Sequence, residues 1–256
     1  MKKGEFNMKR VFLLTLAVVM TVCLFAGCGQ QAVQQTEETL TMATNAAFPP
    51  YEFYENETIV GIDAEIAGKI AEKLGMKLEI IDTEFGSIVA GVQTGKYDMG
   101  MAGMTVTEER KASVDFTTSY ATGIQSIIVT GESVIATLDD LAGKKIGVQQ
   151  DTTGHIYAAD EFGDEMVIPF NKGADAVEAL KTGKVDCVII DNEPAKSFVA
   201  ANEGLKILDA DYAVEDYAIC IAKENTELLE KVNKALEELI ADGSVKAIVD
   251  KYISAE

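Results

Sequence analysis

The chain has 256 residues, with 42 acidic against 22 basic side chains, a formal charge of −20 and a single histidine. Such a balance repels nucleic acid and anionic lipid, and one histidine excludes a multi-histidine metal centre. Neither a phosphate-cradling glycine loop nor a nucleophile elbow is present, so no metal, cofactor or covalent chemistry is expected.

In chain order, the first feature is a leader. Lys9 and Arg10 precede an apolar run over residues 11–26. That run is shorter than the roughly 20 residues a spanning helix needs, and it reads as a secretory signal. Leu24-Phe25-Ala26-Gly27-Cys28 resembles a bacterial lipobox. This predicts a leader over 1–27, lipidation at Cys28 and anchoring of an extracytoplasmic protein to the membrane. A plain secretory signal with an idle cysteine is the alternative. Residues 28–38 are polar, Gln-rich and aperiodic, and read as a tether.

The folded part is expected from Thr39. Residues 40–44 alternate as a strand, Pro49 and Pro50 exclude a helix interior, and Ile66, Ile70 and Leu74 mark a helix over 63–74 that Gly75 ends. Strands are expected over 77–81, 99–103, 125–129, 145–148, 166–170, 187–190, 206–208 and 217–222, with 115–120 irregular. A helix is expected over 155–162. Asn225 is placed to cap a helix with Leu228, Leu229, Val232, Leu236, Leu239 and Ile240 on its apolar side, and a last helix covers 245–253. Residues 88–98 (IVAGVQTGKYD) and 176–186 (AVEALKTGKVD) repeat one pattern: an amphipathic stretch, Thr-Gly-Lys-x-Asp, then an apolar run. Helix, glycine and buried strand in succession are the unit of an α/β sheet, and two copies predict two similar lobes. Cys187 and Cys220 sit in apolar runs and read as small buried hydrophobes.

The two repeats lead into different segments. After the first comes Gly103-Met104-Thr105-Val106-Thr107-Glu108-Glu109-Arg110, and after the second Asp191-Asn192-Glu193-Pro194. Ligands of open α/β sheets sit beyond the carboxyl ends of the strands, so one lobe offers a cation there and the other an anion. A small zwitterion fits both. Arg110 offers a fork for a carboxylate, aided by amides near Thr105 and by Thr153 in the polar loop 149–154; a surface ion pair with Glu108 or Glu109 is the alternative. Asp191, the Thr105 hydroxyl and the Gly103 carbonyl would hold an ammonium group; alternatively, Asp191 caps a helix starting near Pro194. Phe48 and Phe85 stand in loops and read either as walls around a ligand side chain or as plugs at the rim of a core.

The motifs at residues 43–53 (ATNAAFPPYEF), 61–63 (GID), 102–111 (AGMTVTEERK) and 115–117 (DFT) resemble the extracytoplasmic solute-binding proteins of polar amino-acid ABC transporters. The resemblance spans residues 39–253. It implies an α/β, two-lobed periplasmic-binding-protein fold (type II) with two crossing hinge strands, near 126–130 and 215–218. One lobe would take 39–128 and 217–256, the other 129–216. It further implies that Arg110 clamps an α-carboxylate, that Asp191 holds an α-ammonium, and that Asn45, Phe48, Phe85, Gly103, Met104, Thr105, Gln149, Thr152 and Thr153 surround the ligand. The implied partners are a free L-amino acid and an ABC permease, with the protein a monomer. Asn45 stands where many members carry an acid and Ile190 where some carry a polar residue; the Phe48 and Phe85 walls with Asn45 suit a flat or extended polar side chain, such as glutamine, arginine or lysine. The same fold includes arogenate and prephenate dehydratases; in that alternative Glu193 would be a general acid.

Overall fold

The computed structural model describes residues 38–253. The leader, the lipidation site Cys28 and all but the last residue of the tether lie outside the described residues. No helix among the described residues is long and apolar enough to cross a membrane.

In chain order the elements are β1 (Thr39–Thr44), β2 (Ala47–Phe48), β3 (Glu52–Glu55), β4 (Thr58–Val60), α1 (Ile62–Leu74), β5 (Lys77–Asp82), α2 (Ile88–Gln93), β6 (Met99–Gly100), α3 (Glu108–Ser113) and β7 (Val114–Phe116). Next come β8 (Ala121–Thr130), β9 (Ile146–Gln149), α4 (Thr153–Phe162), β10 (Val167–Phe170), α5 (Gly173–Lys181), β11 (Cys187–Asp191), α6 (Asn192–Ala201), β12 (Leu205–Ile207), β13 (Ala213–Tyr217), β14 (Cys220–Ala222), α7 (Thr226–Ala241) and α8 (Ser244–Tyr252). The first sheet runs β5-β1-β6-β14-β7 and the second β10-β9-β11-β8-β12, with β13 added along β8. The β5-β1-β6 and β10-β9-β11 segments are parallel. A small antiparallel sheet, β2-β3-β4, forms where the two prolines exclude a helix.

The repeated sequence folds the same way twice. Gly95 and Gly183 both turn at φ 71°, in the left-handed region that glycine enters freely. The aspartate of each copy then ties down the start of the neighbouring strand. Asp98 accepts from the Thr41 N–H at 2.7 Å and Asp186 from the Lys145 N–H at 2.8 Å. The apolar run after each aspartate enters the middle of its sheet.

Apolar spacing decides what covers the sheets. Ile62, Ile66 and Ile70 recur at helical intervals on α1 and are fully buried, and Gly75 closes the helix in the left-handed conformation. The Asn225 side chain accepts from the Leu228 N–H at 3.3 Å and starts α7. Val232, Leu236 and Leu239 of α7 are buried, with Leu228 and Leu229 packed partly against them. Ile240, expected on the same side, is exposed, because the helix ends within one turn of it. Both C-terminal helices return to the first lobe, where Lys73 of α1 pairs with Glu238 of α7 at 3.0 Å and Lys251 of α8 pairs with Glu65.

The two sheets are joined by two crossing segments. The first lies earlier than the expected 126–130: the chain leaves the first sheet after β7 and crosses over 117–120. Residues 126–130 instead form the interior of the second sheet, where Ser126, Ile127 and Ile128 pair with β11. Ile127, Ile128 and Val129 are completely buried, as a β-branched run in a central strand should be. The return crossing runs through Ala218 and Ile219. The segments bond to each other: the Thr117 N–H donates to the Ile219 carbonyl and the Tyr120 N–H to the Tyr217 carbonyl, both at 3.0 Å. The expected 99–103 strand is also shorter, because the chain leaves β1 after Gly100 to form the loop that meets β13.

Candidate ligand-binding site

The carboxyl ends of β1, β6, β9 and β11 converge on one cavity. Ten of the eleven expected ligand-binding residues line it; Met104 does not. Ala102, Gly103 and Thr105 line the cavity, while the Met104 side chain packs into the core of the first lobe. Met104 is fully buried with Ile88, Val114 and Cys220. The cavity has two further lining residues that the sequence did not single out, Glu52 and Ala102.

At the cationic end, the Thr107 hydroxyl caps α3 by accepting from the Arg110 N–H at 3.1 Å. This aims the guanidinium inward. Its Nη1 donates to the Thr105 carbonyl at 2.8 Å and its Nη2 to the Asp151 carbonyl at 3.1 Å, and the group lies 5.2 Å from the Phe85 ring centre. Glu108 does not hold it; that carboxylate pairs with Lys111 at 2.9 Å. Burial pulls the Arg110 pKa down, opposed most by the charge of Glu215. Arg110 therefore keeps its remaining donors for an anion, in a setting that favours one. Across the cavity, Thr152 caps α4 by accepting from the His155 N–H at 3.3 Å, and Thr153 is the buried first residue of that helix. Its N-terminus adds the partial positive charge of a helix start.

At the anionic end, Asp191 closes β11 and is buried. It occupies the cap position of α6, which starts at Asn192 rather than near Pro194, yet its side chain does not cap the helix. Instead it accepts from the Tyr217 hydroxyl. Burial, then the nearby Glu215 carboxylate, push the Asp191 pKa up to about 8, while Gln125 donates to it and lowers it. A buried carboxylate in this condition gains from a cation. The Thr105 hydroxyl spends its one proton on Glu215 and keeps lone pairs that can accept from an ammonium group. It donates to Glu215 at 3.1 Å and lies 3.3 Å from the Thr153 hydroxyl.

The side walls join the lobes. Gln149 Nε2 donates to Asn45 Oδ1 at 2.9 Å, and Asn45 Nδ2 donates to the Thr83 carbonyl at 2.8 Å. Phe48 and Phe85 are buried walls, and Phe85 also lies against Arg110. Gly103 has φ 51°, and a Cβ there would come within 3.0 Å of the Phe48 ring. Its N–H donates to Asp63 at 2.9 Å.

Three further residues matter here, Glu52, Asp63 and Tyr217; the motifs at 43–53 and 61–63 contain the first two, without marking either for a role. Glu52 is an acid set among aromatics in Tyr51-Glu52-Phe53, and Tyr217 belongs to a run that reads as ordinary strand. Replacing Tyr217 by Phe removes a donor to a buried carboxylate, an interaction worth about 1.5–3 kcal/mol. The expected result in a calorimetric pH series is weaker binding of an α-ammonium ligand near neutral pH. The loss should shrink above the Asp191 pKa of about 8, where the carboxylate is ionised regardless. Unchanged affinity near neutral pH would contradict this role.

A model of the bacterial extracellular solute-binding proteins, family 3, matches residues 40–255. The arginine-binding extracellular protein ArtP of Bacillus subtilis (strain 168) is 32% identical over 259 residues, covering 97% of this chain and 100% of its own length. Among solved structures, an ancestral arginine-binding protein bound to arginine is 42% identical with a TM-score of 0.80, covering 85% of this chain and 99% of its own. An ancestral arginine-binding protein bound to glutamine is 40% identical with a TM-score of 0.79, covering 86% and 99%.

Proposed function

Because this chain belongs to the bacterial extracellular solute-binding proteins, family 3, with their two-lobed periplasmic-binding-protein fold, we propose that it captures a free amino acid with a cationic side chain, arginine first, and delivers it to an ABC permease. In this reading Arg110 and the start of α4 take the α-carboxylate, and Asp191 takes the α-ammonium. Phe48 and Phe85 flank the aliphatic part of the side chain. Cys28 carries the lipid that keeps the protein at the membrane, outside the cytoplasm, where it works as a monomer without covalent chemistry.

The observation that carries the choice of a cation is Glu52. Its carboxyl lines the cavity, is fully buried, and neither oxygen has a hydrogen-bond partner. An unpaired buried carboxyl is unfavourable, and a guanidinium or ammonium group would satisfy it. The excess of acidic residues adds a weak long-range attraction for the same ligands. The arginine-binding relatives support the choice. The neutral alternative is glutamine, supported by the ancestral structure bound to it. The dehydratase alternative is not favoured: Glu193 stands on the first turn of α6 and pairs with Lys196 at 3.1 Å.

A thermal-shift screen across the common amino acids, with citrulline, arogenate and prephenate, tests the reading. At about a hundred times its Kd a ligand stabilises by ~2.7 kcal/mol, a rise of roughly 5–10 °C for a chain of this size. Arginine should give the largest shift. A larger shift with glutamine would replace the cationic ligand with a neutral one, and turnover of arogenate or prephenate would replace the carrier with an enzyme.

A further inference from the structure

We propose that Glu52 and Asp63 form a proton-exchanging specificity element: a cationic ligand side chain seated against Glu52 expels one proton from the pair, and a neutral side chain expels none. This rests on the reading that the cavity takes an amino acid of the arginine type.

The geometry comes from two elements of the first lobe. Glu52 begins β3 and Asp63 lies in the first turn of α1, and both are completely buried. Asp63 Oδ2 accepts from the Gly103 N–H and from the Tyr120 hydroxyl, each at 2.9 Å. Neither Asp63 Oδ1 nor either Glu52 oxygen has a hydrogen-bond partner, and the Asp63 N–H donates to the Tyr51 carbonyl at 2.9 Å, which sets its carboxyl near that of Glu52, where each acts on the other's charge. Two carboxyls so placed cannot both ionise without a nearby cation, so they share one proton. It sits on Glu52, because Asp63 already has two donors that stabilise its ionised form.

Among the described residues, the Arg110 guanidinium lines the same cavity but bonds the Thr105 and Asp151 carbonyls, and the groups that act on the pair are not cations. Asp191 at the end of β11 and Asp82 at the end of β5 act on Glu52, and Tyr51 before β3 and Tyr120 in the first crossing pack nearby. All are acids or phenols. Burial first, then the Asp63 charge, raise the Glu52 pKa well above the ordinary carboxylate range. Burial also pushes Asp63 up to about 6, held down by Gly103 and Tyr120. A guanidinium entering the cavity supplies the missing positive charge. Glu52 then gives its proton to the buffer and keeps a charge-assisted bond to the ligand; no bond to the ligand is covalent. A neutral side chain bonds the protonated acid as it stands.

Calorimetry of the intact protein near neutral pH, in phosphate and in Tris, measures the protons released as arginine or citrulline binds. Citrulline has nearly the shape of arginine with a neutral end. Both ligands carry the same α-ammonium, so any proton leaving Asp191 is common to both and cancels in the difference. Arginine should release about one proton more than citrulline. Its advantage over citrulline should grow as pH rises above the ordinary carboxylate range, by up to roughly tenfold per unit. In Glu52→Gln the difference in proton release should vanish. The wild-type comparison decides the matter even if that variant fails to fold. Equal proton counts with both ligands bound would overturn the proposal and leave arginine binding intact. Failure of arginine to bind at all would overturn the underlying reading and the proposal with it.

Discussion

Arg110→Ala should reduce amino-acid affinity by at least roughly 2–3 kcal/mol, the scale of truncating one partner of a buried charge pair. The reason lies in what Arg110 touches. Its guanidinium holds the Thr105 carbonyl on its own lobe and the Asp151 carbonyl on the other, against the face of Phe85. Losing it removes the carboxylate's main partner and also a link across the cleft. Lysine should not restore binding, because a point charge cannot reach two carbonyls and a carboxylate in one plane. Isothermal calorimetry reads the effect directly, and wild-type affinity in the alanine variant would contradict the clamp.

The second large effect is at Asp191, where function and stability should move in opposite directions. Asp191→Asn keeps the shape and removes the charge. Ligand affinity should fall by about 3–5 kcal/mol, the scale for leaving a buried ammonium without its counter-charge. The unliganded protein should become more stable. An unfolded aspartate ionises at about 3.9, whereas burial and Glu215 hold Asp191 up to about 8 in the fold. The native state therefore loses relative stability as pH rises between those values, and asparagine removes that loss. Thermal melting across this window should show the variant gaining on the wild type as pH increases. A variant less stable than wild type at pH above the upper value would contradict this account of Asp191. Sites built for ligands commonly carry such a trade.

The scaffold was legible because it rests on local patterns. The two Thr-Gly-Lys-x-Asp copies announced two equivalent helix-strand units, and both aspartates pin neighbouring strands in the same way. Gly75 and Asn225 marked helix limits through backbone geometry and capping, which depend on few neighbours. The charged ends of the site were legible too, since Arg110 and Asp191 each come after a strand of the repeat. The crossing was not. The apolar run at 126–130 suits a buried central strand as well as a hinge, and pairing with β11, distant in sequence, settles which it is. Met104 is a smaller case of the same kind, where a motif names a loop but the local backbone decides which of its side chains line the cavity and which join the core. Glu52 carries no local signal because its importance lies in what surrounds it. Only the fold brings it near Asp63 and leaves both of its oxygens without a partner.

The central claim is that one amino acid spans Arg110 and Asp191 with its side chain running toward Glu52. A crystal structure of the protein with bound arginine tests it most directly. The α-carboxylate is expected within hydrogen-bonding distance of Arg110, the α-ammonium against Asp191 and the guanidinium against Glu52. Arginine bound with its ammonium away from Asp191, or outside this cavity, would contradict the claim.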